Sequence, residues 1–91
     1  ARGWGFSMEK VARFQTGLRL EKQLLKVMKA LAEQLDMSAA ELVEGVMLHA
    51  LEGKTPFSEA TLAKAAMLKE VYDLTLTAED AHKLTEEGAD T

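Results

Sequence analysis

The sequence predicts a mainly α-helical protein in which one N-terminal strand precedes four helices. Residues 11–20 alternate between apolar and polar side chains, which is typical of a strand. From Leu24 onward apolar residues recur three and four positions apart, which indicates amphipathic helices. Residue types that cap helix starts stand at Ser38, Ser58 and Thr77. At 91 residues the chain has room for a barely sufficient core, so association of two copies would add buried surface.

The alternating stretch "VARFQTGLRL" occupies residues 11–20. A strand here would have one mostly apolar face and one face with two arginines, an amide and a glycine: Phe14, Thr16, Leu18 and Leu20 against Arg13, Gln15, Gly17 and Arg19. A strand needs a partner to satisfy its backbone hydrogen bonds, and the chain itself offers none. A second copy of the chain is the expected mate, which predicts a homodimer.

The helices are placed by apolar periodicity and by signals at their ends. In "MSAAEL", Ser38 can cap a helix start while the Glu41 side chain returns to the Ser38 N–H, which is a capping box. Gly53 supplies a left-handed stop for the same helix. The first helix lacks a good cap, since Leu20 and Glu21 precede it. The predicted helices cover about 21–35, 39–52 and 57–73, and a short fourth helix begins at Thr77 and ends at Gly88.

Charge is divided unevenly along the chain, although its net value is only −4. Residues 1–30 carry seven basic and two acidic side chains, whereas residues 31–91 carry four basic and thirteen acidic ones. A basic cluster on an otherwise acidic chain indicates a surface suited to an anionic partner. Three lysines recur on the polar face of the first helix, where they form either a solvated face or contacts to flanking phosphates: Lys22, Lys26 and Lys29.

Composition excludes several classes of function. The chain has no cysteine, which excludes disulfides, thiolate metal sites and cysteine nucleophiles. No apolar run approaches the roughly 18 residues of a membrane span, and the N-terminus lacks the apolar centre of a signal peptide, so a cytoplasmic protein is expected. No glycine-rich phosphate loop or nucleophile motif occurs, and His82 with Glu86 makes a poor metal site by itself. Neither an enzyme nor a cofactor is predicted.

The order of a strand, a helix, a capped turn and a second helix resembles the ribbon-helix-helix family of DNA-binding proteins. The resemblance covers about residues 11–51 and rests on "RFQTGLRL", "LLKVMKALAEQL" and "DMSAAELV". It implies an N-terminal arm at 1–10, a ribbon-helix-helix core at 11–53 and a helical C-terminal extension at 54–91.

The resemblance also implies a mechanism. Such proteins place a two-stranded β-ribbon in the major groove of double-stranded DNA and hold a phosphate at the start of their second helix. On this chain the base contacts would fall to Arg13, Gln15, Gly17 and Arg19, and the phosphate contacts to Ser38, Ala39 and Ala40. The expected function is that of a dimeric, sequence-specific DNA-binding regulator of transcription.

Two alternatives remain open. One is a protein–protein interaction module with the same dimer fold and no DNA binding, in which residues 54–91 hold a protein partner, as in some antitoxins of this family. The overall acidity and the missing side chain at Gly17 favour it, and Arg13 and Arg19 would then be solvated strand-edge residues. The other is a wholly helical bundle in which residues 11–20 form no strand.

Overall fold

Three α-helices make up most of the described chain, which covers residues 10–86 in a computed structural model. Helix α1 spans Lys22–Gln34, α2 spans Ala39–Leu51 and α3 spans Glu59–Val71. A 3₁₀ helix at Ala78–Asp80 follows α3. The protein is mainly α-helical, and these three helices lie within about two residues of their predicted bounds.

The predicted N-terminal strand is wrong. Residues 10–21 have no regular secondary structure, and no strand occurs anywhere in the described residues. A strand is stabilised by hydrogen bonds to a neighbouring strand, and an alternating pattern of side chains supplies none of those bonds. The ribbon-helix-helix fold class, with one strand followed by four helices, is therefore contradicted, and the architecture agrees with the wholly helical alternative. Of the predicted arm at 1–10, only Lys10 lies within the described residues.

The predicted fourth helix is also wrong. The chain forms only a 3₁₀ turn at Ala78–Asp80, so the described part of the chain contains three α-helices instead of four. The Thr77 N–H donates to the Asp80 carboxylate at 2.8 Å, which closes this turn. His82 then has a φ of 70°, a left-handed value that breaks the helical path. The predicted end at Gly88 lies outside the described residues.

Side chains cap the starts of all three α-helices. Ser38 accepts from the Glu41 N–H at 3.1 Å, and the Ser38 N–H donates to the Glu41 carboxylate at 2.9 Å, which confirms the predicted capping box of α2. The Ser58 side chain caps α3. Glu21 caps α1 by accepting from the Leu24 N–H at 2.7 Å, so the expectation of an uncapped start was wrong.

A residue in the left-handed conformation stands two positions after the last residue of each α-helix. Asp36 follows α1, Gly53 follows α2 and Asp73 follows α3, with φ values of 58°, 74° and 56°. The next N–H then donates back into the last helical turn, as the Met37 N–H does to the Ala32 carbonyl at 3.0 Å. This geometry satisfies carbonyl groups that the helix itself leaves free. Glycine adopts it without strain, which is why Gly53 alone could be predicted.

The hydrophobic core lies along α1, against which α2 and α3 each pack. Its centre consists of Leu31, Ala32 and Leu42, which are at most 6% exposed. Half-buried apolar side chains surround this centre: Met28, Leu35, Val46, Phe57, Ala65 and Leu68. With Val27, only four apolar side chains of the described residues are buried, which is a small core for a chain of this length.

Many large apolar side chains remain exposed. Phe14 is 90% exposed, and Leu48 and Leu51 at the end of α2 are 66% and 74% exposed. On α3, Leu62 is 53% and Val71 is 64% exposed. No helix within residues 10–86 is long and apolar enough to cross a membrane.

One long-range hydrogen bond joins the start of α1 to the end of α3. The Gln23 side-chain amide donates to the Tyr72 carbonyl at 2.6 Å, across 49 residues of sequence. The Gln23 Oε1 atom is buried and has no hydrogen-bond partner. The bond places the end of α3 beside the N-terminal basic part of the chain.

Candidate nucleic-acid interface

The predicted base-contacting residues all lie on an exposed segment. We call residues 10–20 the basic segment: each of its residues is exposed, and it carries Lys10, Arg13 and Arg19 with no acidic residue. The segment has no regular secondary structure and leads directly into α1. Its positive side chains are therefore accessible to solvent.

The first half of α1 extends this positive charge. Lys22, Lys26 and Lys29 are exposed, whereas Val27 and Leu31 of the same helix are buried. The lysines thus occupy the solvent side of α1, as their spacing predicts. Residues 10–30, which we call the basic region, contain six basic side chains and one acidic side chain.

Arg13 forms the best-defined contact of the basic segment. Its Nε and Nη2 atoms donate to the two carboxylate oxygens of Glu44 on α2, each at 2.9 Å. The hydrogen bond from Arg13 lowers the pKa of Glu44 and raises the pKa of Arg13 itself. The two side chains are 62% and 46% exposed, so solvent screens the attraction between them. A guanidinium held in this way has its Nε and Nη2 edge occupied, which is one of the two edges through which it can bind a phosphate or a guanine.

Arg19, Gln15 and Gly17 complete the set of predicted base contacts. Arg19 forms an ion pair with Glu86, near the end of the described chain. Gln15 is exposed, and a Cβ atom added at Gly17 would meet nothing within 4 Å. The structure therefore places these residues on one exposed segment and engages both arginines with carboxylates of the same chain.

The predicted phosphate site lies at the start of α2. The Ser38 N–H already donates to the Glu41 carboxylate at 2.9 Å, while Ala39 is half-buried and Ala40 is exposed. A shallow depression beside this helix start is lined by three carboxylate residues and one lysine: Glu33, Asp36, Glu41 and Lys29. The net negative charge opposes the helix dipole and lowers the affinity of this site for an anion. The Ser38, Ala39 and Ala40 contacts remain a prediction.

A metal centre has no support in the described residues. They contain no group of three or more histidine, aspartate or glutamate side chains that could hold a metal ion. In the candidate pair of His82 and Glu86, the Glu86 carboxylate already pairs with Arg19.

Sequence reasoning missed Glu44 and Glu86 as partners of the two arginines. Glu44 is 31 residues from Arg13, and neither period nor local motif connects them. The available signal was the excess of acidic residues after residue 30, which indicates that some basic side chains find partners within the chain. That signal does not identify the pairs, because pairing depends on how the helices pack.

Comparison with known protein families, with curated proteins and with solved structures gives no match for this chain.

Proposed function

We propose that this chain is a cytoplasmic, homodimeric DNA-binding protein that regulates transcription and contacts DNA through the basic region, residues 10–30. The observation that supports this proposal is the concentration of six basic side chains and one acidic side chain in a region whose first eleven residues are all exposed. Positive charge gathered in this way on an acidic chain provides favourable phosphate contacts, whose strength depends on salt.

The residues divide by their chemistry into two roles. Lys22, Lys26 and Lys29 on the solvent side of α1 suit contacts with phosphates, which position a protein on DNA without reading sequence. Arg13 and Arg19 carry the planar donors that pair with the O6 and N7 atoms of guanine, and Gln15 can pair in the same way with adenine. A segment without regular structure can adapt to a groove, although ordering it on binding reduces affinity.

The small core supports the homodimer. The four buried apolar side chains of the described residues provide little stability for the chain alone, while Leu48 and Leu51 on α2 remain 66% and 74% exposed. A second copy that covers such side chains would bury apolar surface at about 25 cal/mol per Å². Sedimentation equilibrium of the full chain should therefore give the mass of two chains, and the mass of one chain at all concentrations would refute the dimer.

Salt-dependent binding of a labelled random-sequence duplex tests DNA recognition. Fluorescence anisotropy should show an affinity that falls as salt rises, and the Arg13→Ala, Arg19→Ala variant should bind more weakly. The slope of log affinity against log salt should fall by about 0.9 for each arginine that contacts a phosphate. A control variant with the same charge change, Lys69→Ala with Lys83→Ala, removes two exposed lysines outside the basic region. No binding at low salt, or an equal loss in the control, would refute the proposal.

A second candidate function, that of a protein-interaction module, is favoured by the exposed side chains of α3. Leu62, Met67 and Val71 are 53%, 55% and 64% exposed, although other residues of the same helix pack on the core. Affinity capture with the full chain and with a Leu62→Ser, Met67→Ser, Val71→Ser variant separates the two functions. A partner retained by the first and lost by the second would support the module, and equal capture by both would exclude α3 as its surface.

A further inference from the structure

We propose that Glu44 competes with DNA for Arg13, so that the contact between these two side chains restrains DNA binding within the same chain. The inference rests on the proposed DNA-binding function and adds to it a regulatory contact. It concerns one ion pair whose two members lie on different parts of the fold, the basic segment and α2.

The geometry makes two uses of the Nε and Nη2 edge of Arg13 mutually exclusive. Both hydrogen bonds of the pair are 2.9 Å long, and they engage Nε and Nη2 with the two oxygens of one carboxylate. Guanine offers its O6 and N7 atoms to the same kind of donor pair, and a phosphate offers two oxygens. Because the guanidinium is planar, its Nε and Nη2 atoms cannot face Glu44 and a base edge together. Arg13 must therefore leave Glu44 before it reads DNA through this pair of donors.

The contact can open without unfolding the protein. Arg13 is 62% exposed and Glu44 is 46% exposed, so neither side chain is enclosed by the core. Exposed ion pairs contribute little to stability, and water replaces the lost bonds on both sides. The pair also spans 31 residues of sequence and holds the basic segment beside α2. Opening it therefore releases the guanidinium and frees the segment to follow a groove.

A second ion pair engages the other arginine of the basic segment through its Nη2 atom. Arg19 pairs with Glu86, and these side chains are 83% and 54% exposed. Glu86 lies after α3 in the acidic part of the chain. Both arginines of the basic segment are thus paired with carboxylates, and a DNA duplex would compete with those carboxylates for them.

Glutamine substitutions test the competition in the full-length chain. Glu44→Gln keeps the size of the side chain and removes its charge, and Glu70→Gln makes the same charge change at an exposed position on α3. Anisotropy with the labelled random-sequence duplex should show an affinity for Glu44→Gln about two- to fivefold above that for Glu70→Gln. The affinity of Glu86→Gln for the duplex should likewise exceed that of its own control, Glu79→Gln. The double variant Glu44→Gln, Glu86→Gln should bind the duplex more tightly than either single variant. Equal affinities of Glu44→Gln and Glu70→Gln would overturn the proposal.

The Arg13 side chain provides a measurement that needs no DNA. Its Nε–H resonance in the NMR spectrum of the free protein should shift in Glu44→Gln and stay in place in Glu70→Gln. An unshifted resonance would show that the pair does not form and would also overturn the proposal. A shifted resonance in a protein that binds no duplex at low salt would instead refute the DNA-binding function, and the competition would fall with it. The two failures are therefore distinguishable.

Discussion

Replacement of Leu31 by alanine tests whether the small core along α1 holds the fold together. Leu31 is 4% exposed and lies in the central cluster of the core. The substitution removes three buried carbon atoms with their hydrogens. Burial of each contributes about 0.8 kcal/mol to the free energy of unfolding, so the expected loss from burial is about 2.4 kcal/mol. A remaining cavity would add to this loss. Three neighbouring side chains are only partly buried and can move into the space: Met28, Leu35 and Val46. The destabilisation caused by a cavity should therefore be small. We expect a total loss of about 2.5–3.5 kcal/mol.

Urea denaturation followed by far-ultraviolet circular dichroism measures this loss. The samples need one fixed protein concentration, because association of two copies makes stability depend on concentration. For a domain of this size the expected loss corresponds to a fall in Tm of about 10–25 °C. The control Leu31→Met nearly conserves volume and should cost less than about 1.5 kcal/mol. A loss below about 1 kcal/mol in Leu31→Ala, or equal losses in both variants, would refute the assignment of the core.

Three further predictions follow from the local geometry. Ser38→Ala removes the cap of α2 and should lower the free energy of unfolding by about 1 kcal/mol, measured by the same urea titration. Gly17→Ala should leave Tm nearly unchanged because an added Cβ meets nothing within 4 Å, whereas Gly53→Ala should lower stability by about 1–2 kcal/mol because φ there is 74°. Unchanged stability in Gly53→Ala would argue against the left-handed stop. The pKa of Glu44 is lowered from 4.5 by the hydrogen bond from Arg13, so this pair stabilises the fold above about pH 4.5 and stops doing so as pH falls through the folded-state pKa. An NMR titration of the Glu44 carboxyl should give a midpoint below 4.5, and an unshifted midpoint would contradict the pair.

Local chemistry explains why the positions of the helices could be predicted from the sequence. The capping box of α2 joins Ser38 and Glu41, which are three positions apart, and it occurs in the structure. The left-handed stop at Gly53, just beyond the end of α2, also occurs. The lysines of α1 also lie on the solvent side, as the apolar period of that helix predicts. Such features need no knowledge of the rest of the fold.

The wrong predictions of a strand and of a fourth helix fail for a common physical reason. The alternation of apolar and polar residues at 11–20 indicates which side chains could share a face. A strand forms only when a neighbouring strand completes its backbone hydrogen bonds. A capping signal at Thr77 likewise marks a helix start without supplying the packing that prolongs a helix. In both places the local pattern was present, while the described chain forms an irregular segment and a single 3₁₀ turn.

The sequence by itself determined the mainly helical character, the bounds of α1, α2 and α3, and the concentration of positive charge in residues 10–30. Only the tertiary structure decided what those charges contact. Arg13 meets Glu44 across 31 residues, and Gln23 reaches the Tyr72 carbonyl across 49. Contacts of this kind depend on how α2 and α3 pack against α1, and that packing follows from the burial of a few apolar side chains whose partners no local pattern specifies.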